Sequence, residues 1–261
     1  MDERRQHHRH QEPELKAAAT DQLRLLDVQA IDARIDQLAH RRATLPEHAA
    51  LQELDKALAE LDDDVVAAQT EQSDIERELR KAEGDVDQVR ARAARDQQRL
   101  DAGQVGSPKE LESLQHEIAT LGRRQSDLED VVLEVMERLE AVQTRLGELT
   151  ARREDARARE TELTATRDAT VGEIDGEVAG LQTQRDTHAG QLDGELMALY
   201  EKIRGQQAGI GAAELRQRRC TGCRLELNNV EIGRLRSAEE DEVLRCEECR
   251  RILVRTAESG L

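Results

Sequence analysis

The chain contains four cysteines, arranged as two pairs, Cys220-Thr-Gly-Cys223 and Cys246-Glu-Glu-Cys249, with 22 residues between them. Two tight turns at this spacing can aim four thiolates at one tetrahedral ion. Soft sulfur donors with no redox demand on the metal suit zinc. The competing chemistry is two C-x-x-C redox centres or two disulfides, but a redox pair normally opens a helix in a βαβ unit, and none is predicted here. The spacing therefore predicts one Zn2+, held by Cys220, Cys223, Cys246 and Cys249, with a structural role because four sulfurs leave no open coordination position. Arg218, Arg219, Arg224, Arg234, Arg236, Arg250 and Arg251 crowd the same segment, together with Arg216, Arg245 and Arg255. Part of this charge offsets the metal site, whose four thiolates and zinc together carry about −2. The remainder reads either as a solvated surface or as a face for phosphates, which arginine pairs bidentately.

The elements that carry this site read mostly as helix. Among 261 residues there is no Trp or Phe and a single Tyr, Tyr200, while 36% are charged and the net charge is −17. Such a composition suggests disorder, but the apolar spacing argues otherwise. Leu51, Leu58, Val65, Leu79, Val86, Ala93 and Leu100 share one seven-residue register, with Leu54, Leu61, Ala68, Ile75, Ala82 and Val89 three positions later. This is an a/d coiled-coil seam. A second seam follows: Leu114, Leu121, Leu128, Val135, Val142, Leu149, Ala156 and Leu163, with Leu111, Ile118, Val132, Leu139 and Leu146 as companions. Near residue 165 the phase slips, and Val171, Ile174, Val178, Leu181, Leu192 and Leu199 continue the stripe. Arg153, Glu160 and Arg167 at seam positions predict local loosening there.

Between the seams, Gly103 and Gly106 stop one helix, and Ser107-Pro108-Lys109-Glu110 starts the next with an N-cap, an N1 proline and a capping-box glutamate. A short turn between seams of similar length predicts an antiparallel hairpin with its tip at about 101–110. Residues 51–100 then zip against 111–160, and Val28, Ile31, Ile35, Leu38 and Leu45 lie against the later part of the second helix, which is expected to run from 108 to 204. Pro46 predicts a kink or short break. Three domains are expected: a flexible arm at 1–14 containing His7, His8 and His10, a hairpin at 15–205, and a ribbon at 206–261 with short strands at 225–227, 243–245 and 252–255.

No apolar signal core and no stretch of eighteen apolar residues is present, so no membrane association is expected. Paired thiols without a signal predict a cytoplasmic protein. No nucleophile–base pair and no small-molecule site is evident, and a closed four-thiolate zinc cannot activate water, so no enzyme activity is expected.

The tip Ser107-Pro-Lys-Glu-Leu-Glu-Ser-Leu-Gln-His-Glu-Ile118, the run Leu199-Tyr-Glu-Lys-Ile-Arg204, the pair Cys220-Thr-Gly-Cys223 and the run Cys246-Glu-Glu-Cys249-Arg-Arg-Ile-Leu253 together resemble the bacterial C4-type zinc-ribbon, coiled-coil family, over about residues 20–255. The resemblance implies a mainly α fold, a long antiparallel coiled-coil helical hairpin with a small C-terminal β zinc ribbon. It also implies an adaptor or chaperone-like regulatory job, since the family is associated with chaperoning a sigma factor and with binding RNA. The expected partners are accordingly a protein, a transcription factor among them, and RNA or DNA. The ribbon arginines and Lys109 at the tip are the candidate contacts, and a purely protein–protein scaffold is the alternative. Two positions depart from the family pattern. Arg250 stands where a knuckle glycine is usual, predicting a strained knuckle or a different turn, and Asn228-Asn229 replace a proline.

Overall fold

The computed structural model describes residues 15–261, so the 1–14 arm with His7, His8 and His10 lies outside the described residues. The chain is mainly α. Its elements are α1 (Ala19–Ala43), α2 (Pro46–Asp101), α3 (Pro108–Ala189), α4 (Gly194–Gln206), β1 (Ala212–Arg216), β2 (Arg219–Cys220), α5 (Asn229–Ser237) and β3 (Ile252–Arg255). Two compact units result: Glu47–Thr166, and the residues up to Pro46 together with Arg167–Leu261.

The first unit is the antiparallel hairpin. Leu58 and Leu61 of α2 cluster with Ala156 of α3, and Ile75 clusters with Val135 and Val142. Each Leu, Ile or Val side chain so withdrawn from water contributes roughly 1.5–3 kcal/mol. Ion pairs flank the seam, Arg138 to Glu78 at 3.1 Å and Arg90 to Glu129 at 3.1 Å. They set register more than stability, because all four side chains stay about half exposed. At the tip Ser107 Oγ accepts from Glu110 N–H at 3.2 Å, and Glu110 Oε2 accepts from Gly106 N–H at 2.9 Å. The capping box therefore forms, its return bond one residue early. Leu111, expected in the seam, is 38% exposed, although Arg99 in the last turn of α2 reaches the neighbouring Glu110 at 3.7 Å. Arg153 stays partly buried at its seam position and reaches Asp62 at 3.4 Å.

The second unit holds α1, the last turns of α3, α4 and the small sheet. A break at Thr44–Leu45 separates α1 from α2, with Pro46 opening α2 at the position where its missing N–H is harmless. The expected single helix over 108–204 is interrupted. It ends at Ala189, and Asp193 caps a new helix by accepting from Glu195 N–H and Leu196 N–H at 2.9 and 3.1 Å. The sheet has order β2-β1-β3, β1 antiparallel to β2 and parallel to β3. Both of its faces are covered, as side-chain alternation allows. Ala212, Ile252 and Val254 face a helical core with Leu25, Val28, Leu196, Tyr200 and Ile203, while Ala213, Leu215 and Leu253 face a second core containing the cysteines and α5. Of the three expected strands only 252–255 forms in full. Residues 225–227 and 243–245 contribute single bridges, Arg219 to Glu226 and Arg245 to Ile252. Helix α5 and strands β1 and β2 lie outside the sequence expectation, the short Asn228-capped stretch being too brief for periodicity to register. Residues 15–17 pair with 241–243, Ala17 N–H donating to Asp241 O at 2.8 Å and Val243 N–H to Leu15 O at 3.0 Å.

Candidate metal centre

Both cysteine pairs adopt the same turn. In the first, Thr221 N–H donates to Glu214 O of β1 at 3.0 Å, and Arg224 N–H folds back onto Cys220 O at 2.7 Å. In the second, Cys246 N–H donates to Arg251 O at 3.0 Å, and Arg250 N–H folds back onto Cys246 O at 2.9 Å. Each turn ends on a left-handed arginine, with φ of 61° at Arg224 and 60° at Arg250. The usual knuckle turn is thus kept at Arg250, with a non-glycine residue in a conformation that costs roughly 1–2 kcal/mol. Gly222 is required for another reason: a Cβ there would stand 2.7 Å from Arg251 Cδ and 3.0 Å from Ala213 Cβ.

The four sulfurs lie within 4.8 Å of one another, with Cys220 to Cys249 and Cys223 to Cys246 each at 3.9 Å. Zn–S bonds of about 2.3 Å in a tetrahedron place sulfurs about 3.8 Å apart. A disulfide needs about 2.05 Å, and all four cysteines are free thiols. The residues fit one zinc ion, which when bound supplies a structural cross-link between the two knuckles. The site has the electrostatics of a proton-or-metal pocket. The hydrogen bond with Cys220, together with burial, pushes the Cys246 thiol well up. Burial likewise raises Cys223, while the backbone N–H of Leu225 acts in the opposite sense. A metal entering this pocket displaces those protons.

The candidate contact residues divide into two sets. Arg251 departs from the expected contact face, because its guanidinium donates to the carbonyls of Ile210, Gln207 and Gly222 at 3.0, 3.1 and 3.3 Å. Arg255 is used the same way, on Leu235 O, Ala238 O and Glu239 O. Arg218 donates to Asn229 Oδ1, Arg219 pairs with Glu226 at 3.6 Å, and Arg234 lies 3.8 Å from Glu247. Arg250 is exposed and engaged elsewhere in the fold. Arg224, Arg236 and Lys109 are exposed, and none has an ion pair among the described residues.

A polar cluster that sequence reading missed anchors the sheet. Asp32 of α1, 3% exposed at its side chain, accepts from Tyr200 Oη at 2.7 Å and from Arg185 Nε at 2.6 Å. Arg185 also pairs with Glu201, and Arg204 bridges Asp32 and Asp36. Burial first, and the bond to Asp32 second, hold the Tyr200 hydroxyl firmly protonated. Nearby, Gln29 Oε1 accepts from Gly211 N–H and Ala212 N–H at 2.7 and 3.2 Å, fastening α1 to the start of β1. The available signal was Gln22, Leu25, Gln29 and Asp32 at alternating spacings of three and four, polar residues on an apolar stripe.

Fold and site define a class of protein: a helical hairpin carrying a four-cysteine ribbon that holds one structural zinc. The model of the CT398-like coiled coil hairpin domain matches residues 28–208, and that of the C4-type zinc ribbon domain matches residues 219–253. The chain belongs to the CT398-like coiled coil hairpin family. It is similar to an uncharacterized protein of Mycobacterium tuberculosis, 36% identical over 244 residues that make up 92% of this chain and 98% of the relative. A solved structure from Mycobacterium smegmatis aligns with TM-score 0.79 at 36% identity, covering 93% of this chain and all of the other (100%). CT398 from Chlamydia trachomatis aligns with TM-score 0.65 at 17% identity over 91% of this chain and 98% of its own, a likeness of fold. No helix among the described residues is long and apolar enough to cross a membrane.

Proposed function

We propose that the protein is a non-enzymatic adaptor of a reducing, cytoplasmic compartment, acting through protein–protein contacts made by the hairpin and the outer surface of the ribbon, in a regulatory setting. The observation that carries this reading is the use of the ribbon arginines. Arg251 and Arg255 satisfy loop carbonyls, and Arg218, Arg219 and Arg234 have polar or acidic neighbours inside the fold. The basic surface left for phosphates is therefore much smaller than the sequence count, and no aromatic residue is available there to stack on bases. The net charge of −17 also opposes nucleic acid. Exposed Leu133 and Met136, three residues apart on α3, add apolar surface of the kind a partner helix covers. A transcription factor is the partner class that the family resemblance favours.

A second reading rests on Arg224 and Arg236, whose charges have no ion-pair partner among the described residues and suit RNA or DNA phosphates. Affinity capture of the full chain from native extract, with and without nuclease, tests the two. Protein partners retained after nuclease and weakened by Lys109→Glu are expected. Partners that all vanish with nuclease, together with a salt-dependent gel shift abolished by Arg224→Ala/Arg236→Ala, would transfer the function to nucleic acid.

A further inference from the structure

The two knuckles are alike in their turns but not in how their first peptide is held. In the first, the residue after the leading cysteine is secured by the sheet: Thr221 N–H donates to Glu214 O of β1 at 3.0 Å, and Thr221 Oγ1 accepts from Glu214 N–H at 2.9 Å. The second has no strand beside the equivalent residue, Glu247. Its N–H donates instead to Glu231 Oε1 of α5 at 3.1 Å. Glu231 is 3% exposed, a rare burial for a carboxylate. Its own N–H is capped by Asn228 Oδ1 at 2.9 Å. An Asn-x-x-Glu start normally reads as a capping box, but here the glutamate side chain reaches across the fold to the knuckle. Glu247 directly follows the ligand Cys246, in the turn that Arg250 N–H closes onto Cys246 O at 2.9 Å. Holding the Glu247 peptide fixes the start of that turn.

We propose that Glu231 is a positioning residue for the zinc site, taking in the second knuckle the place that the β1 carbonyl takes in the first. It touches no metal and acts by fixing the peptide that joins the ligand Cys246 to Glu247. Outer-shell partners of metal ligands commonly change metal affinity by about 10- to 100-fold. The requirement is for a buried acceptor at this point, so an amide oxygen should serve nearly as well as a carboxylate.

The test compares the zinc-loaded full chain with Glu231→Met, which keeps the length of the side chain and removes the acceptor, and Glu231→Gln, which keeps the acceptor. Zinc release is followed with the chromophoric chelator 4-(2-pyridylazo)resorcinol. The Met variant is expected to release zinc about tenfold faster or more, and the Gln variant to stay within about threefold of the wild type. Release from the Met variant at the wild-type rate would overturn the proposal. So would release from the Gln variant as fast as from the Met variant, since a role that depends on charge alone predicts that result.

Discussion

At Arg224 and Arg250 the backbone takes a left-handed turn that side chains resist, yet both N–H groups close onto the leading cysteine's carbonyl. Glycine would relax the turn while adding freedom to the unfolded chain, and the two effects are of similar size, each about 0.5–2 kcal/mol. Arg250→Gly is therefore expected to leave ribbon stability unchanged or raise it by up to about 1 kcal/mol. A β-branched Arg250→Val should lower it by about 1–2 kcal/mol. Denaturant titration of the zinc-loaded protein checks this, and a clear loss with glycine would mean that the contacts of the Arg250 side chain outweigh backbone relief. The same scale explains Arg251. Three loop carbonyls converge on one guanidinium, a fork that a lysine ammonium cannot reproduce.

At the scale of elements, α1 is tied to its neighbours by polar residues on what would otherwise be an apolar stripe. Asp32 collects the hydroxyl of Tyr200 in α4 and the guanidinium of Arg185 in α3, and Gln29 holds the first residues of β1. A buried carboxylate that loses one donor keeps its desolvation cost without the bond. Tyr200→Phe is accordingly expected to destabilise this unit by about 1–3 kcal/mol, read from the thermal transition of the zinc-loaded chain. An unchanged midpoint would mean that the arginines alone satisfy Asp32. The interruption between α3 and α4 belongs here too: Asp193 pays no penalty as an N-cap, whereas the heptad stripe through Leu192 and Leu199 had suggested one continuous helix.

At the scale of the whole molecule, the sheet is shared. One face completes the helical core around Tyr200 and the other completes the core around the cysteines. Removing zinc should therefore melt the ribbon and loosen α1 and α4, while the Glu47–Thr166 hairpin keeps its own seam and its helical signal. Far-UV dichroism before and after chelation measures this; loss of nearly all helix would show that the hairpin depends on the metal. The pH dependence has two signs. In the metal-free protein, Cys246 and Cys223 hold their protons more tightly than ordinary thiols. That contribution to stability is fully present below the ordinary thiol range and is lost as pH rises through the elevated values. Zinc binding needs thiolates, so zinc occupancy is expected to fall on acidification, as metal analysis after dialysis across a pH series would detect.

Periodicity and spacing carried much of this protein in one dimension. The two seams, the tip at Gly103–Glu110 and the break before Pro46 are local patterns, and hydrophobic burial between antiparallel helices leaves them few alternatives. The four cysteines were legible for the same reason, because a tetrahedral ion demands their types and intervals. The destinations of polar side chains were decided only in three dimensions. Whether Arg251 faces solvent or three carbonyls, and whether Glu231 caps its own helix or the distant Glu247 peptide, depends on which orphaned backbone groups the fold brings within reach. Asp32 and Tyr200 are 168 positions apart in the chain and 2.7 Å apart in space. No local pattern encodes such a pairing, since a buried charge selects its partners from whatever the packed elements leave beside it.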